Sequence, residues 1–143
     1  MNAFVVDSSV VAKWLPPLNT EPFASEARTL LEDWTQGRIE LLVPDLLLIE
    51  VANVLWKAAR VGRCAALQAR SALNILISYG LPAVPSVTLL DLALRIGVEY
   101  NRTVYDSVYI ALAVQSGRQL VTADEKLANA LAAYFPVKWI GSI

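Results

Sequence analysis

Four acidic residues stand at positions in this 143-residue chain where carboxylates could act together. Asp7 directly follows the first short apolar run, and Asp124 comes three residues after the fourth one. Asp106 opens a predicted helix, and Glu50 lies inside another. Crowded carboxylates repel one another unless a cation neutralises them, and oxygen ligands without His or Cys select hard ions such as Mg²⁺ or Mn²⁺. Such an ion can activate a water, so the residue types favour phosphodiester hydrolysis as the reaction class.

Three of these acids also have a purely structural interpretation. Asp7 could cap the turn that follows it, although Ser8 or Ser9 would serve equally well. Asp106 could be the N-cap of its helix, and Glu50 could lie on a solvated helix face. Taken one at a time these interpretations stay open, so the metal-site hypothesis depends on all four acids together.

Asp124 needs a structural explanation least. Thr122 and Glu125 are three residues apart and have the spelling of a capping box, so Asp124 is not required as the helix cap. Asp7 and Asp124 both follow predicted strands, and the carboxyl ends of parallel strands form the edge at which α/β proteins bind ligands. Independent caps have no reason to meet on one edge, which strengthens the joint hypothesis.

The residue types that are missing exclude other chemistries. The chain has no histidine, which excludes Ser-His-Asp and Cys-His hydrolases, histidine-based ribonucleases and zinc sites that need imidazole. Its six glycines form neither G-x-G-x-x-G nor G-x-x-x-x-G-K-[ST], which argues against dinucleotide and P-loop sites. The single cysteine, Cys64, cannot form an intrachain disulfide, and this agrees with a reducing, cytoplasmic location.

Short apolar runs alternate with longer helical patterns along the chain. The runs are apolar on both faces, as in strands of a parallel sheet that helices cover on both sides. This alternation predicts a doubly wound α/β sandwich, folded as one domain over residues 1–143. The predicted strands cover residues 4–6, 41–43, 81–84, 120–121 and 137–140. The predicted helices cover residues 22–35, 45–61, 64–79, 87–98, 106–116 and 124–134, with a shorter turn after residue 8.

The sequence predicts neither a secretory leader nor a membrane span. The N-terminus lacks basic residues, and its apolar run is too short for a signal peptide. The longest uncharged stretch, residues 71–90, contains Gly80, Pro82 and Pro85. We therefore expect it to form a helix end, a turn and a strand.

Four sequence blocks around the acids resemble the signature blocks of the PIN domain, and in particular of the VapC-like toxins of prokaryotic type II toxin–antitoxin systems. Each block alone is unspecific, but all four occur in the family's order and spacing across essentially the whole chain. The blocks are FVVDSSVVAKW at residues 4–14, VPDLLLIEVANVLWK at 43–57, VYDSVYIALA at 104–113 and LVTADEK at 120–126.

This resemblance implies a three-layer α/β/α sandwich with a parallel sheet of about five strands in the order 3-2-1-4-5. It also implies ribonuclease activity that depends on Mg²⁺ or Mn²⁺. The family's acidic quartet corresponds here to Asp7, Glu50, Asp106 and Asp124. The hydroxyl residue that often assists at the last block corresponds to Thr122.

The resemblance implies two protein partners as well: a second copy of the chain in a homodimer, and a small VapB-like antitoxin that holds the toxin inactive. We expect the helices predicted over residues 22–35 and 45–61 to line the groove for the antitoxin. A charged content of only 17%, together with four tryptophans, agrees with a surface that partners cover.

The charge balance agrees with an RNA substrate only when the acids are set aside. The net charge of −1 is poor for binding a polyanion. Without the four proposed ligands, nine acidic residues face 12 basic ones. Lys57, Arg60 and Arg63 follow Glu50 along the chain and could form a phosphate track, or they could be ordinary solvated charges.

Two other functions stay open. A fold of this kind can serve as a binding module without catalysis, and no residue excludes that. By analogy of fold alone, an aspartate after the first strand would also suit an aspartyl-phosphate enzyme. The D-x-D motif of haloacid-dehalogenase-type phosphatases is absent, however, because Ser8 and Ser9 follow Asp7.

Overall fold

A sheet of five parallel strands forms the middle layer of the fold. The computed structural model describes residues 2–143. The strand order is β3-β2-β1-β4-β5, and every neighbouring pair is parallel, which confirms the predicted architecture and strand order. The strands are β1 (Asn2–Val6), β2 (Ile39–Pro44), β3 (Ala83–Val84), β4 (Gln119–Thr122) and β5 (Val137–Trp139).

The central strands are apolar on both faces because helices cover both faces of the sheet. Val5 and Val6 in β1, like Leu120 and Val121 in β4, have no exposed surface. These two strands are neighbours, with Val6 opposite Val121 in the register. The loops that leave their carboxyl ends therefore start side by side, at the middle of one edge of the sheet.

The edge strand β3 is shorter than the predicted strand over residues 81–84. Ala83 and Val84 pair with β2. Pro82 lacks an amide hydrogen and contributes its carbonyl alone, which accepts the N–H of Val43 at 3.1 Å. A proline at this place is tolerated because β3 is at the edge of the sheet.

Seven α-helices connect the strands within residues 2–143, and the six long ones begin and end within three residues of their predicted boundaries. In the same range, no helix has both the length and the apolarity needed to cross a bilayer. The helices are α1 (Ser8–Val11), α2 (Ala24–Thr35), α3 (Leu46–Arg60), α4 (Ala66–Tyr79), α5 (Leu90–Tyr100), α6 (Val104–Ser116) and α7 (Glu125–Leu131).

Helix α6 is buried along most of its length and packs on β1, β2 and β4. It begins two residues earlier than predicted because Thr103 caps it, with its hydroxyl accepting the N–H of Asp106 at 3.1 Å. Asp106 therefore lies in the first turn of the helix. The structural interpretation of Asp106 as the N-cap is wrong, since Thr103 already performs that role.

Candidate active site

Asp7 is the first residue after β1, and its side chain is almost completely buried. Its Oδ1 atom accepts the backbone N–H of Ser9 at 3.1 Å and that of Val10 at 3.3 Å. The Ser9 hydroxyl donates to the same oxygen at 2.5 Å. Asp7 therefore caps α1, as its structural interpretation predicts. The same contacts hold its carboxylate at the carboxyl end of the central strand β1.

Ser9 also joins the loop after β1 to the loop after β4. Its Oγ atom accepts the N–H of Ala123 at 2.9 Å and lies 3.5 Å from the hydroxyl of Thr122. Thr122 has no exposed surface, and its Oγ1 atom accepts the N–H of Asp124 at 3.1 Å. The hydroxyls of Ser9 and Thr122 thus fix the backbone that carries Asp7 and Asp124.

Asp124 is the N-cap of α7, and its Oδ1 atom accepts the N–H of Leu127 at 3.1 Å. The prediction that Thr122 and Glu125 form a capping box at this helix is wrong. Thr122 is the last residue of β4, two residues before the cap, so its hydroxyl holds the amide of Asp124 and not one inside the helix. The remaining surface of Asp124 is open to solvent.

Glu50 lies in the first half of α3, opposite Tyr109 of α6. The Tyr109 hydroxyl donates to Glu50 Oε1 at 2.5 Å. Tyr109 is only 3% exposed, and burial, followed by the hydrogen bond to Glu50 and the charge of Glu50, raises its pKa, so it stays a neutral donor. Glu50 is therefore held in place across two helices and is not a freely solvated side chain.

Burial and like charge raise the pKa values of three of the four acids. Burial raises the pKa of Asp7 to about 6, against the hydrogen bonds from Ser9 and Thr122, which lower it. Burial is also the main cause of the raised pKa of Glu50 and of Asp106. Keeping these carboxylates ionised without a metal ion therefore costs free energy.

Asp106 is the residue through which the four acids interact. Its charge raises the pKa of both Asp7 and Glu50, and the charge of Asp124 in turn raises the pKa of Asp106. The nearby guanidinium of Arg102 opposes this and lowers the pKa of Asp106. The carboxylates predicted from sequence are thus brought to one edge of the sheet, within reach of each other's charge.

The donors fit a hard divalent cation in kind, since all four are carboxylates and a cation would relieve their repulsion. Within residues 2–143, however, no three acidic, cysteine or histidine side chains stand close enough to hold one ion between them. The four acids therefore lie at the same end of the sheet and affect one another's pKa values, but they do not surround one common ion position.

A cleft of about 510 Å³ opens beside the acids, between α3 and the start of α6. Glu50 is itself one of the four acids and Ser8 directly follows Asp7, so these two residues connect the cleft to the carboxylates. The complete lining is Ser8, Leu46, Ile49, Glu50, Asn53, Val54 and Tyr105.

The three cations predicted to contact RNA have different surroundings. Lys57 and Arg60 are exposed on α3, and the Arg60 guanidinium lies 5.4 Å from the ring centre of Trp56. Arg63 follows the helix and forms an ion pair of 2.9 Å with Glu21. Lys57 is the one that follows Glu50 and Asn53 at helical spacing on the same side of α3.

Sequence reasoning missed Tyr109 and Arg102 and weighed Ser9 only as an alternative cap. A signal existed for Tyr109, because it follows Asp106 by three residues and so lies one helical turn away. Arg102 lies only four residues before Asp106, and Ser9 only two residues after Asp7, whereas the bond from Ala123 to Ser9 is made across the sheet and leaves no local signal.

The chain belongs to the PIN domain family, whose sequence model matches residues 4–131. Its similarity extends to individual proteins. It is 33% identical over 131 residues to Ribonuclease VapC3 of Pyrobaculum aerophilum, which covers 90% of this chain and 95% of that protein. It is 37% identical over 97 residues to Exonuclease VapC9 of the same organism, which covers 67% of this chain and 71% of that one.

The fold is similar to that of a solved relative over nearly the full length. The crystal structure of PAE2754 from Pyrobaculum aerophilum superposes with a TM-score of 0.69 at 26% sequence identity. The alignment covers 99% of this chain and 92% of the other. Together with the family match, this confirms the resemblance to PIN domains and to VapC proteins.

Proposed function

We propose that this chain is a metal-dependent endoribonuclease that hydrolyses RNA phosphodiesters, and that it is the toxin of a toxin–antitoxin pair. The observation that carries the proposal is the placement of Asp7 and Asp124 just beyond the neighbouring strands β1 and β4, where Ser9 and Thr122 join the two loops. The names of the VapC relatives support the reaction class.

The four carboxylates would hold Mg²⁺ or Mn²⁺, and the bound ion would supply a positive charge that activates the attacking water and stabilises the phosphate oxygens. Asp7 and Asp124 are oriented for this by the hydroxyls of Ser9 and Thr122. Glu50 keeps one oxygen, Oε1, on the Tyr109 hydroxyl, which would leave its other oxygen for the ion. Thr122 has a positioning role in this proposal.

The substrate strand would follow α3 away from the acids. Lys57 and Arg60 are exposed on this helix and would contact phosphates. Arg63 belongs to the same predicted track, although Glu21 already neutralises part of its charge. Substituting these cations should weaken RNA binding and reduce its salt dependence.

We also propose a cytoplasmic homodimer that a VapB-like antitoxin inhibits. Support comes from the VapC relatives and from apolar side chains that α3 exposes, namely Leu48, Ile49 and Trp56. Co-expression with the short reading frame that adjoins the gene should yield a complex in which cleavage is suppressed. A chain that stays monomeric and active in that experiment would contradict this part of the proposal.

The deciding experiment uses two RNA substrates, one linear and labelled at its 5′ end and one circular. An endonuclease opens the circle, whereas an exonuclease cannot. Cleavage should require Mg²⁺ or Mn²⁺, stop in EDTA, and leave a 5′-phosphate and a 3′-hydroxyl, because water and not the ribose 2′-hydroxyl is the nucleophile. Activity in excess chelator, or 2′,3′-cyclic phosphate products, would refute the mechanism.

A second candidate is a catalytically silent RNA-binding module. The observation in its favour is that, among residues 2–143, no three acids are gathered within reach of one ion. The same assay separates the two candidates, because the silent module would bind both RNAs and leave them intact at every metal concentration.

A further inference from the structure

The cleft beside the acids offers an aromatic ring face to an incoming strand. Tyr105 immediately precedes Asp106, lines the cleft, and is 63% exposed. Tyr100, Tyr79 and other aromatic residues pack against aromatic neighbours, whereas Tyr105 is in no aromatic pair within residues 2–143. A large ring left uncovered next to a candidate reaction centre is available to stack on a ligand ring.

The wall of the cleft that α3 forms supplies a polar side chain, Asn53, close to Glu50 along the helix. Asn53 is exposed, lies one helical turn after Glu50, and carries both a hydrogen-bond donor and an acceptor. Lys57 follows Asn53 by one further turn. The polar side chains along this side of α3 are therefore, in order, an acid, an amide and a cation.

Apart from Ser8 and Glu50, the rest of the lining is apolar and consists of Leu46, Ile49 and Val54. A pocket with apolar walls, one exposed ring and one amide matches the chemistry of a nucleobase, whose faces stack and whose edges form hydrogen bonds. Its volume of about 510 Å³ is that of an ordinary small-ligand site.

We propose that this cleft is a nucleobase pocket for a nucleotide beside the scissile phosphate, in which the base stacks on Tyr105 and its edge bonds to Asn53. The inference rests on the proposed function, since it takes RNA as the substrate. Continuity supports this occupant, because Ser8 and Glu50 line the cleft and also belong to the neighbourhood of the acids. Lys57 would then contact the phosphate on the far side of the base.

Binding of short RNA tests the pocket separately from cleavage. The probe is a fluorescein-labelled octanucleotide of uridines, with a companion set in which each position in turn is abasic. All chains carry Asp106→Asn, and Mg²⁺ is present. Tyr105→Ala should weaken binding of the intact octanucleotide about 10-fold, the order of one stacked base, while Tyr105→Phe should bind like the parent.

The abasic set identifies the base that the ring contacts. At one position, loss of the base should weaken binding to the parent about 10-fold and should not weaken binding to Tyr105→Ala any further. Asn53→Ala should weaken binding of the intact RNA and lose its effect at the same abasic position. The matched control is Tyr134→Ala, because Tyr134 is 65% exposed and lies outside the cleft.

A photochemical readout does not depend on affinity. An octanucleotide with 5-iodouridine at the identified position should crosslink to the Asp106→Asn chain within the tryptic peptide of residues 103–118, at Tyr105. A crosslink to Trp56 would place the stacking base on the outer side of α3 and overturn the pocket.

Other outcomes separate this inference from the proposed function. If the wild-type chain cleaves RNA but Tyr105→Ala binds and cleaves like it, the pocket is refuted and the nuclease stands. If Tyr105→Ala loses only the antitoxin and keeps RNA, the cleft belongs to a protein partner and the pocket is refuted. If the wild-type chain binds no RNA, both proposals fall.

Discussion

At Asp106 the charge can be removed without disturbing the helix, because Thr103 is the cap. Burial and the charge of Asp124 raise the pKa of Asp106, so Asp106→Asn relieves repulsion in the metal-free chain. We expect unchanged or higher stability without metal, a smaller rise in melting temperature on adding Mg²⁺, and cleavage reduced more than about 100-fold. Paired melting curves and an RNA cleavage assay measure all three.

Asp91→Asn is the matched control for this change. Asp91 is an almost fully exposed aspartate on α5 whose contact is a 3.7 Å ion pair with Arg95. It should behave like the wild-type chain in both assays, since such surface pairs contribute little. Unchanged cleavage in Asp106→Asn would remove this residue from the site and leave a weaker proposal of three acids.

Tyr109→Phe tests whether the buried hydroxyl positions Glu50. The ring and its packing stay, but Glu50 Oε1 loses its donor and becomes free to turn. The Mg²⁺ concentration needed for half-maximal cleavage should rise about 10-fold, the usual cost of losing a group that orients a ligand. A titration of activity against Mg²⁺ measures this, with Tyr134→Phe as the control on an exposed tyrosine. An unaltered Mg²⁺ requirement would show that Glu50 needs no such support.

The acids could be found from sequence because each lies within a short local pattern: a strand end, a helix start or an apolar helix with one polar side. The long-range hydrogen bonds that hold them could not be predicted. The bond from Tyr109 to Glu50 spans 59 residues, and that from Ala123 to Ser9 spans 114. Such contacts exist only because the fold brings distant residues together, so no short stretch of sequence contains both residues of the hydrogen bond.

At the scale of elements, Gly97 determines how closely α5 approaches the start of α6. A β-carbon on Gly97 would lie 2.8 Å from the Arg102 carbonyl oxygen, in the linker that leads to Thr103 and Asp106. Gly97→Ala should therefore push this linker away, lower the free energy of unfolding by about 1–3 kcal/mol, and reduce cleavage by up to about 100-fold. Urea unfolding and cleavage of the folded variant are the measurements.

Val98→Ala provides the comparison for this element. Val98 is the next residue on α5 and is 78% exposed, so its truncation should change stability by less than about 0.5 kcal/mol and leave cleavage unaltered. If Gly97→Ala matched it in both measurements, the approach of α5 to α6 would have no bearing on Asp106.

Helices and strands were predictable because their apolar periodicity is strong, and their ends were less so. The start of α6 and the cap of α7 were assigned to the wrong residues, since Thr103 and Asp124 compete with neighbours of similar capping ability. Which residue becomes the cap depends on where the preceding strand or loop ends, and tertiary contacts determine that position. The shortening of β3 has a local cause instead, because Pro82 has no amide hydrogen to donate to a neighbouring strand.

At the scale of the whole molecule, Asp7 links stability to pH. Its pKa is about 6 in the folded chain against 3.8 as the ordinary value, so the folded state binds this proton more tightly than the unfolded state does. The resulting stabilisation is complete below pH 3.8 and is lost as the pH rises through about 6. At pH 8 the metal-free protein therefore carries a penalty of up to about 3 kcal/mol.

Asp7→Asn removes that penalty and keeps a residue that caps α1 as well as aspartate does. Without metal, the variant should be more stable than the wild-type chain at pH 8, and the difference should vanish by about pH 4 as Asp7 is protonated. Urea unfolding of both chains across this range, in EDTA, gives the comparison. A constant difference at every pH would mean that the Asp7 carboxylate is not desolvated.

The pairing of β1 with β4 has a consequence for how the protein is made. Asp7 leaves the ribosome long before the strand beside it, and long before Asp124, which follows that strand. Because this contact is so distant in sequence, no nascent chain that still lacks β4 can assemble the acidic edge. The nuclease proposed here would therefore become competent only after β4 and the loop that carries Asp124 have left the ribosome.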